Sequence, residues 1–253
     1  MTASSSIAAH RVQLQPAYVL HHYPYRDTSR ILELFTRDYG RVSVFARGVR
    51  GGKRSAGTFT SVLQPFHRVL ISYSGRGEAG QLTHGEFDGA FNALPAARAL
   101  SGFYLNELLL RLFERHDSHP DVFDLYDATI AGLKADAPDE ATLLRIFEKR
   151  LLQMLGYGLS LDREAQSGAA VRPDQVYRYV PERGAVRVEG VAEGQLIFIG
   201  ASLLALHAEN FDTVAVRADA RRLLRTALDR YLSGRELRSR EVLGALRRMS
   251  AKL

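Results

Sequence analysis

The hydrophobic period of this chain changes once, at Leu94-Pro95, and that change limits what the chain can fold into. Before it stand five short strand-like runs: residues 17–23, rich in β-formers, the alternating runs 31–36, 41–47 and 67–73, and 81–87 after a glycine turn. Turn signals such as Asp38-Tyr39-Gly40 and the glycines of residues 75–80 separate the runs. Alternation of this kind gives strands with one buried face, and about five of them in some 75 residues predict a small closed barrel. After Leu94-Pro95 the spacing becomes helical. Residues 96–115 are apolar nearly all round and predict a helix central in a bundle. Asp121 is placed to cap a second helix with the stripe Val122, Leu125, Thr129 and Leu133. A third helix, residues 140–155, carries Leu144, Phe147, Leu151 and Met154 and stops at Gly156-Tyr157-Gly158. Residues 160–195 are polar and predict one hairpin, near 176–180 and 186–188. Helices resume at about 201–208, 219–232 and 240–249.

Two barrel types fit the first part, the oligonucleotide-binding (OB) type and the SH3-like type, and periodicity does not separate them. Composition narrows function instead. The chain has 253 residues, 46% hydrophobic and 25% charged, which reads as an ordinary soluble globular protein. It contains no cysteine, which excludes disulfides, thiol nucleophiles and thiolate metal sites. The start is polar and small, residues 1–14 read as a flexible tail, and no apolar run approaches a membrane span. The net charge of +6 is uneven: residues 1–90 hold 11 Lys/Arg against 6 Asp/Glu, residues 91–160 hold 7 against 10, and residues 161–253 hold 16 against 12. Basic ends around an acidic middle imply different partners for different parts, or simply solvated surfaces.

The strongest chemical signal is residues 41–57, RVSVFARGVRGGKRSAG. Arg41, Arg47, Arg50, Lys53 and Arg54 stand there without a carboxylate. Val42, Val44 and Ala46 alternate with Arg41, Ser43, Phe45 and Arg47, so an aromatic ring shares a face with arginines. A glycine-rich cationic loop follows. That combination suits a polyanion with stackable bases. The competing reading is an exposed loop that is cationic for solubility. Arg26, Arg68 and Arg76 are candidates to extend the patch. The arginine-rich C-terminal region is a second basic surface, equally readable as the wet face of a helix.

Other motifs carry less. Gly75-Arg76-Gly77-Glu78-Ala79-Gly80 matches G-x-G-x-x-G but is followed by a strand-like run, so it reads as a hairpin turn, not a dinucleotide site. His21-His22 alternates across a strand, and His116-x-x-His119 reads as an interhelical loop, not a zinc site. No P-loop and no G-x-S-x-G is present, and nothing points to catalysis or a cofactor. Arg145 and Lys149 lie one helical turn apart with Phe147 between them in sequence. Cations beside an apolar groove fit an acidic peptide with a hydrophobic end, or a solvated face.

The order of these pieces resembles the RecO family of bacterial recombination mediators. The resemblance is carried by Ala17-Tyr18-Val19-Leu20, Tyr25-Arg26-Asp27-Thr28-Ser29, residues 31–40, the run from Arg41-Val42-Ser43 to Arg47-Gly48, and Leu63-Gln64-Pro65-Phe66. It continues through Gly75-Arg76-Gly77-Glu78, Tyr104-Leu105-Asn106-Glu107-Leu108, Leu155-Gly156-Tyr157-Gly158, Tyr231-Leu232 and Ser239-Arg240-Glu241.

The resemblance implies fold class α+β: an N-terminal OB-fold β-barrel at residues 15–92, then a mostly α-helical domain at 93–253 with a small cysteine-free insertion at about 160–195. It implies binding of single- and double-stranded DNA, annealing of complementary strands, and loading of recombinase onto strands coated by single-stranded DNA-binding protein. Implied partners are RecR, often RecF, and the acidic, phenylalanine-ended tail of single-stranded DNA-binding protein, in the cytoplasm at the nucleoid. The expected DNA-binding residues are Arg41, Phe45, Arg47, Arg50, Lys53, Arg54, Arg26 and Arg76. The expected tail-binding residues are Arg145, Phe147 and Lys149, with Arg145 resting on the family pattern. Many members carry a four-cysteine zinc module where this chain has residues 161–190 without cysteine, so that module must be degenerate or rebuilt on contacts such as Val176, Tyr177 and Val188. Outside this family, an OB-fold RNA- or ribosome-associated protein and a non-nucleic-acid adaptor remain as alternatives.

Overall fold

The computed structural model describes residues 10–25, 29–47, 62–75, 79–135, 139–189, 196–232 and 236–250. The chain forms two compact units, residues 1–134 with 237–253, and residues 135–236.

In the first unit, β1 (His10–Tyr25), β2 (Ser29–Thr36), β3 (Gly40–Ala46), β4 (Arg68–Gly75) and β5 (Ala79–Phe87) close into a barrel in the order β1-β2-β3-β5-β4. All pairs are antiparallel except β3 with β5, where Val44 lies beside Gly80. This order and the parallel closing pair are those of the OB barrel, not the SH3 type. Strand β1 is long because it serves two neighbours: its first half pairs with β4 and its second with β2. It therefore starts inside the stretch expected to be a tail and runs through Pro24, where the sequence suggested a stop. The G-x-G-x-x-G stretch lies between the antiparallel β4 and β5, as a hairpin connection requires.

Alternation fills the barrel. Val19, Leu32, Leu34, Val42, Val44, Ala46, Val69, Ile71 and Leu82 are all buried in one cluster. Beyond Ile31, however, β2 does not alternate in burial, because Glu33, Phe35 and Thr36 are buried as well. The outer face is covered by α1 (Ala99–Leu112) and α2 (Pro120–Lys134). Tyr18 meets Tyr126 edge-on at 4.9 Å, and Phe35 packs against Phe113 and Phe123 at 6.1 and 5.8 Å. Asn106 on α1 donates to the Leu20 carbonyl (2.9 Å) and accepts from the Tyr126 hydroxyl (2.5 Å), so this buried amide is satisfied under the helices. Thus α1 is not the centre of a bundle. It lies on the barrel, with Phe103 exposed, and the packing boundary falls near residue 134, not 92.

The second unit holds α3 (Glu140–Met154), a sheet ordered β7-β6-β8 from β6 (Val176–Val180), β7 (Gly184–Arg187) and β8 (Ile197–Ile199), then α4 (Gly200–His207) and α5 (Val214–Tyr231). Asp139 caps α3 by accepting from Thr142 N (3.1 Å), and Thr213 caps α5 by accepting from Val216 N (3.2 Å). Helix α3 ends in a Schellman turn: Tyr157 N donates to the Leu152 carbonyl and Gly156 N to that of Gln153. Gly156 has φ +83°, a conformation costly for any side-chain-bearing residue. The buried stripe of α3 is Phe147, Glu148, Leu151 and Leu152, with Met154 turned outward.

The last helix, α6 (Arg238–Ser250), belongs to the first unit.

Candidate nucleic-acid interface

On β3 the alternation holds, and its consequence for Arg41 differs from expectation. Arg41 leaves the barrel face toward Glu33, a nearly inaccessible carboxylate. Its Nη1 donates to the carbonyls of Leu110 (2.8 Å) and Phe113 (2.6 Å), and its Nη2 to Glu33 Oε2 (3.3 Å). Glu33 also accepts from the Ser43 hydroxyl and from Arg115 Nη2 (2.5 Å). Burial alone would push the Glu33 carboxyl up, but the Ser43 hydroxyl and the Arg115 and Arg41 guanidiniums hold it below the ordinary value. Arg41 is thus a structural cation and not an exposed phosphate ligand. Arg68 is committed in the same way, to Asp88 (2.5 Å) and Asp127 (3.2 Å).

Phe45 and Arg47 sit at the open end of this strand. Phe45 is half-buried, its ring 5.2 Å from that of Tyr25, and its cross-strand neighbour is Ile31. Tyr25 and Tyr23 are exposed on β1, and His21 packs edge-on against Tyr23 at 4.5 Å. His21 and His22 follow a bulge after Val19 and stand in regular register opposite Glu33 and Leu32, with their rings 6.1 Å apart and nearly parallel. Arg30 pairs with Pro24 of β1 and Ala46 of β3, and Arg47 follows in an exposed turn. Among the described residues, neither Arg30 nor Arg47 has an ion-pair partner. The ends of β1, β2 and β3 therefore gather His21, Tyr23, Tyr25, Phe45, Arg30 and Arg47. Burial and Arg30 depress His22 below its ordinary value, with His21 adding to the effect. Arg26, Arg50, Lys53, Arg54 and Arg76 lie outside the described residues.

The sequence missed Tyr23, Tyr25 and Arg30. The available signal was Tyr23-Pro24-Tyr25, two aromatics at strand spacing across a proline, which an edge or strand-end position tolerates.

The three residues expected to hold an acidic tail are placed differently in the second unit. Phe147 is fully buried in the core and lines no groove. Lys149 Nζ donates to the His207 carbonyl (2.6 Å) and to Glu209 Oε1 (3.2 Å), and the same carboxylate takes two bonds from Arg150. Lys149 is therefore tied to the turn after α4. Arg145 is 11% exposed at its side chain and donates through Nη2 to Glu148 Oε1 (2.7 Å). Its Nε is buried without a hydrogen-bond partner.

The stretch where the resemblance would put a zinc module is built around a tyrosine. The fully buried Tyr177 hydroxyl accepts from Arg172 N (2.9 Å) and donates to Glu164 Oε1 (3.3 Å). Val171 N donates to the Asp162 carbonyl, and Leu161, Ala185 and Phe198 complete the packing. With no cysteine in the chain, and no group of three His, Asp or Glu suited to a metal among the described residues, a zinc ion of that type does not fit. Among the described residues no helix is long and apolar enough to cross a membrane.

Known proteins match over nearly the whole chain. A family model described as Recombination protein O N terminal matches residues 12–91, and one described as Recombination protein O C terminal matches residues 96–241. The chain is 44% identical over 232 residues to the DNA repair protein RecO of Methylococcus capsulatus, covering 92% of this chain and 93% of that one. It is 46% identical over 240 residues to the RecO of Alkalilimnicola ehrlichii (94% and 93% covered) and 39% identical over 239 to that of Aromatoleum aromaticum (94% and 98%). The family boundary at residues 91–96 follows the change of hydrophobic period, whereas packing places α1 and α2 with the barrel. With both domain models matched in order, and such relatives aligned end to end, the chain belongs to the RecO family of DNA repair proteins.

Proposed function

We propose that this chain binds single-stranded DNA at the exposed end of β1, β2 and β3, anneals complementary strands, and helps load recombinase onto strands coated by single-stranded DNA-binding protein, without a catalytic step. One observation carries the reading. The Tyr25 ring packs against Phe45, exposed Tyr23 stands in register with Phe45 through Ile31, Arg30 and Arg47 lie at the same strand ends, and β3 leads directly into the stretch that contains Arg50, Lys53 and Arg54. Aromatic faces take unpaired bases and cations displace the counterions of the backbone. Bringing two strands together needs that neutralisation and no bond-making. Arg26 and Arg76 are proposed to extend the cationic margin. Duplex binding, RecR and RecF as partners, and action at the nucleoid follow from family membership as proposals.

Arg145 is proposed as the anchor for the acidic tail of single-stranded DNA-binding protein, a carboxylate competing with Glu148 for its guanidinium.

The test is a titration of fluorescent oligodeoxynucleotide against the full chain over a range of salt, with an RNA of the same sequence alongside. Salt-dependent DNA binding that weakens in Tyr25→Ala and Phe45→Ala supports the reading. A preference for the RNA moves the chain to an RNA-binding role, and no binding of either at low salt leaves only the adaptor reading.

A further inference from the structure

The second unit contains a cavity of about 210 Å³ between the Schellman turn of α3, the β6–β7 turn and α5. Two tyrosines are part of its lining. Tyr157, just past α3, lies flat on Tyr231, the last residue of α5, with ring centroids 3.7 Å apart and planes 18° from parallel. Tyr157 is 45% exposed, although Tyr231 covers one of its faces. Arg183 and Arg230 line the same cavity. Arg230 is neutralised by Glu182 at 2.7 Å, whereas Arg183 is exposed and its guanidinium has no ion-pair partner among the described residues. Ser160 and Thr226 add hydroxyls to the wall.

We propose that this cavity is a second nucleotide-binding site, taking one base of single-stranded nucleic acid on the open face of Tyr157 with the neighbouring phosphate at Arg183. Three observations select this occupant. A parallel pair with one free face is a stack already begun, and a flat base extends it; aliphatic side chains gain little from such geometry. The volume lies below the roughly 300–1,000 Å³ of drug-sized ligand pockets and suits a single ring system. The available charge is positive. The site is held open by the backbone: Gly156 sets the turn that presents Tyr157, and Gly184 (φ +106°) sits where a Cβ would be 3.1 Å from Ser160 Cβ. In use, the inference rests on the reading of this chain as a strand annealer, because a protein that pairs two strands gains from a second place to hold unpaired bases.

The test is photo-crosslinking of the full chain to an oligothymidylate carrying 5-iodouracil, with adducts located by mass spectrometry. The expected result is an adduct at Tyr157, competed by unlabelled strand. It should be lost in Tyr157→Ala, kept in Tyr157→Phe, and reduced roughly ten-fold by Arg183→Glu. The Arg183 side chain has no ion-pair partner among the described residues and its one recorded hydrogen bond is from the backbone N to the Val180 carbonyl, which the variant retains, so that variant should keep its circular dichroism spectrum even if Tyr157→Ala loosens the turn. Adducts at Tyr25 or Phe45 but none at Tyr157 overturn the cavity and leave the barrel interface standing. An adduct at Tyr157 alone supports the cavity and overturns the barrel interface. No adduct at low salt overturns both. A Tyr157 adduct indifferent to Arg183→Glu and to salt reports collision and overturns the site. So does protection of Tyr157 by an acidic phenylalanine-ended peptide with no oligonucleotide adduct, which assigns the cavity to a peptide.

Discussion

Glu107 on α1 closes the N-terminus of α6 from 132 residues away: its Oε2 accepts from the Ser239 backbone N (3.0 Å) and hydroxyl (2.7 Å), and its Oε1 from Arg238 N (2.9 Å). A carboxylate on unsatisfied N–H groups at the positive end of a helix is favourable on both counts. Glu107→Ala should cost about 1–2 kcal/mol of stability, seen as a lower urea midpoint and faster amide exchange across residues 238–250. Glu107→Gln should recover part of the loss. Unchanged exchange in that helix would show that the cap does not hold it.

Arg41 should behave as a core residue. Arg41→Ala removes one of the two guanidiniums on Glu33, which keeps Arg115 and Ser43, and takes a donor from the Leu110 and Phe113 carbonyls, at a cost of about 1–3 kcal/mol. The salt slope of DNA binding should stay as in the parent. A reduced slope with intact stability would return Arg41 to the interface.

The same cluster predicts an acid limit. Glu33 has its carboxyl depressed in the fold, so its stabilising contribution is present above the ordinary carboxylate value and is lost as pH falls through the lower folded value. Denaturation midpoints should fall below about pH 4.5, and Glu33→Gln should be less stable at neutral pH yet flatter in that acid range.

At the interface, Tyr25→Ala and Phe45→Ala should each weaken single-strand affinity by about 1–3 kcal/mol. Arg30→Ala and Arg47→Ala should instead each reduce the magnitude of the log K against log salt slope by about 0.7. Exchange of these two signatures between the aromatic and cationic variants would mean that their roles are misassigned.

His22 gives a pH handle on binding. Its folded value lies below the ordinary 6.5, first through burial and then through Arg30 and His21. It gains charge only as the solution becomes more acid than that. DNA affinity should then rise, while its contribution to stability falls, because the unfolded chain takes the proton first. In His22→Gln both pH effects should shrink.

Arg145→Ala should destabilise the second unit, since it leaves Glu148 without this ion pair in a buried setting. Loss of tail binding in that variant is therefore informative only beside its unfolding curve; a variant that stays folded and binds the tail normally would remove Arg145 from the site.

Much of this was legible in the sequence. Alternation placed Val42, Val44 and Ala46 inside, the run after Gly75-x-Gly marked a hairpin, and Gly156 marked the end of α3. What failed was the assignment of charge. Arg41, Arg68 and Lys149 look the same in sequence as free cations, and their partners Glu33, Asp127 and Glu209 stand 8, 59 and 60 positions away. Phe147 failed differently. On a helix its neighbours in sequence say which stripe it joins, and the Leu151 stripe points inward. The change of period at Leu94-Pro95 coincides with the division between the two family models but not with the packing units, because burial of Phe35 and Tyr18 on the outer face of the barrel depends on helices that come later. The start of α5 at Val214 was missed because the β-branched Val214 and Val216 weaken the helical signal there and the Thr213 cap supplies the start.

The phenol of Tyr177 has a chemical consequence for a protein that serves damaged DNA. A thiolate zinc cluster in this stretch would be open to peroxide and to chelation. A buried hydroxyl held by a backbone amide and a carboxylate is inert to both. This subdomain should hold its shape in chelator and in oxidant alike, leaving the chain's working range to be set by acid and salt.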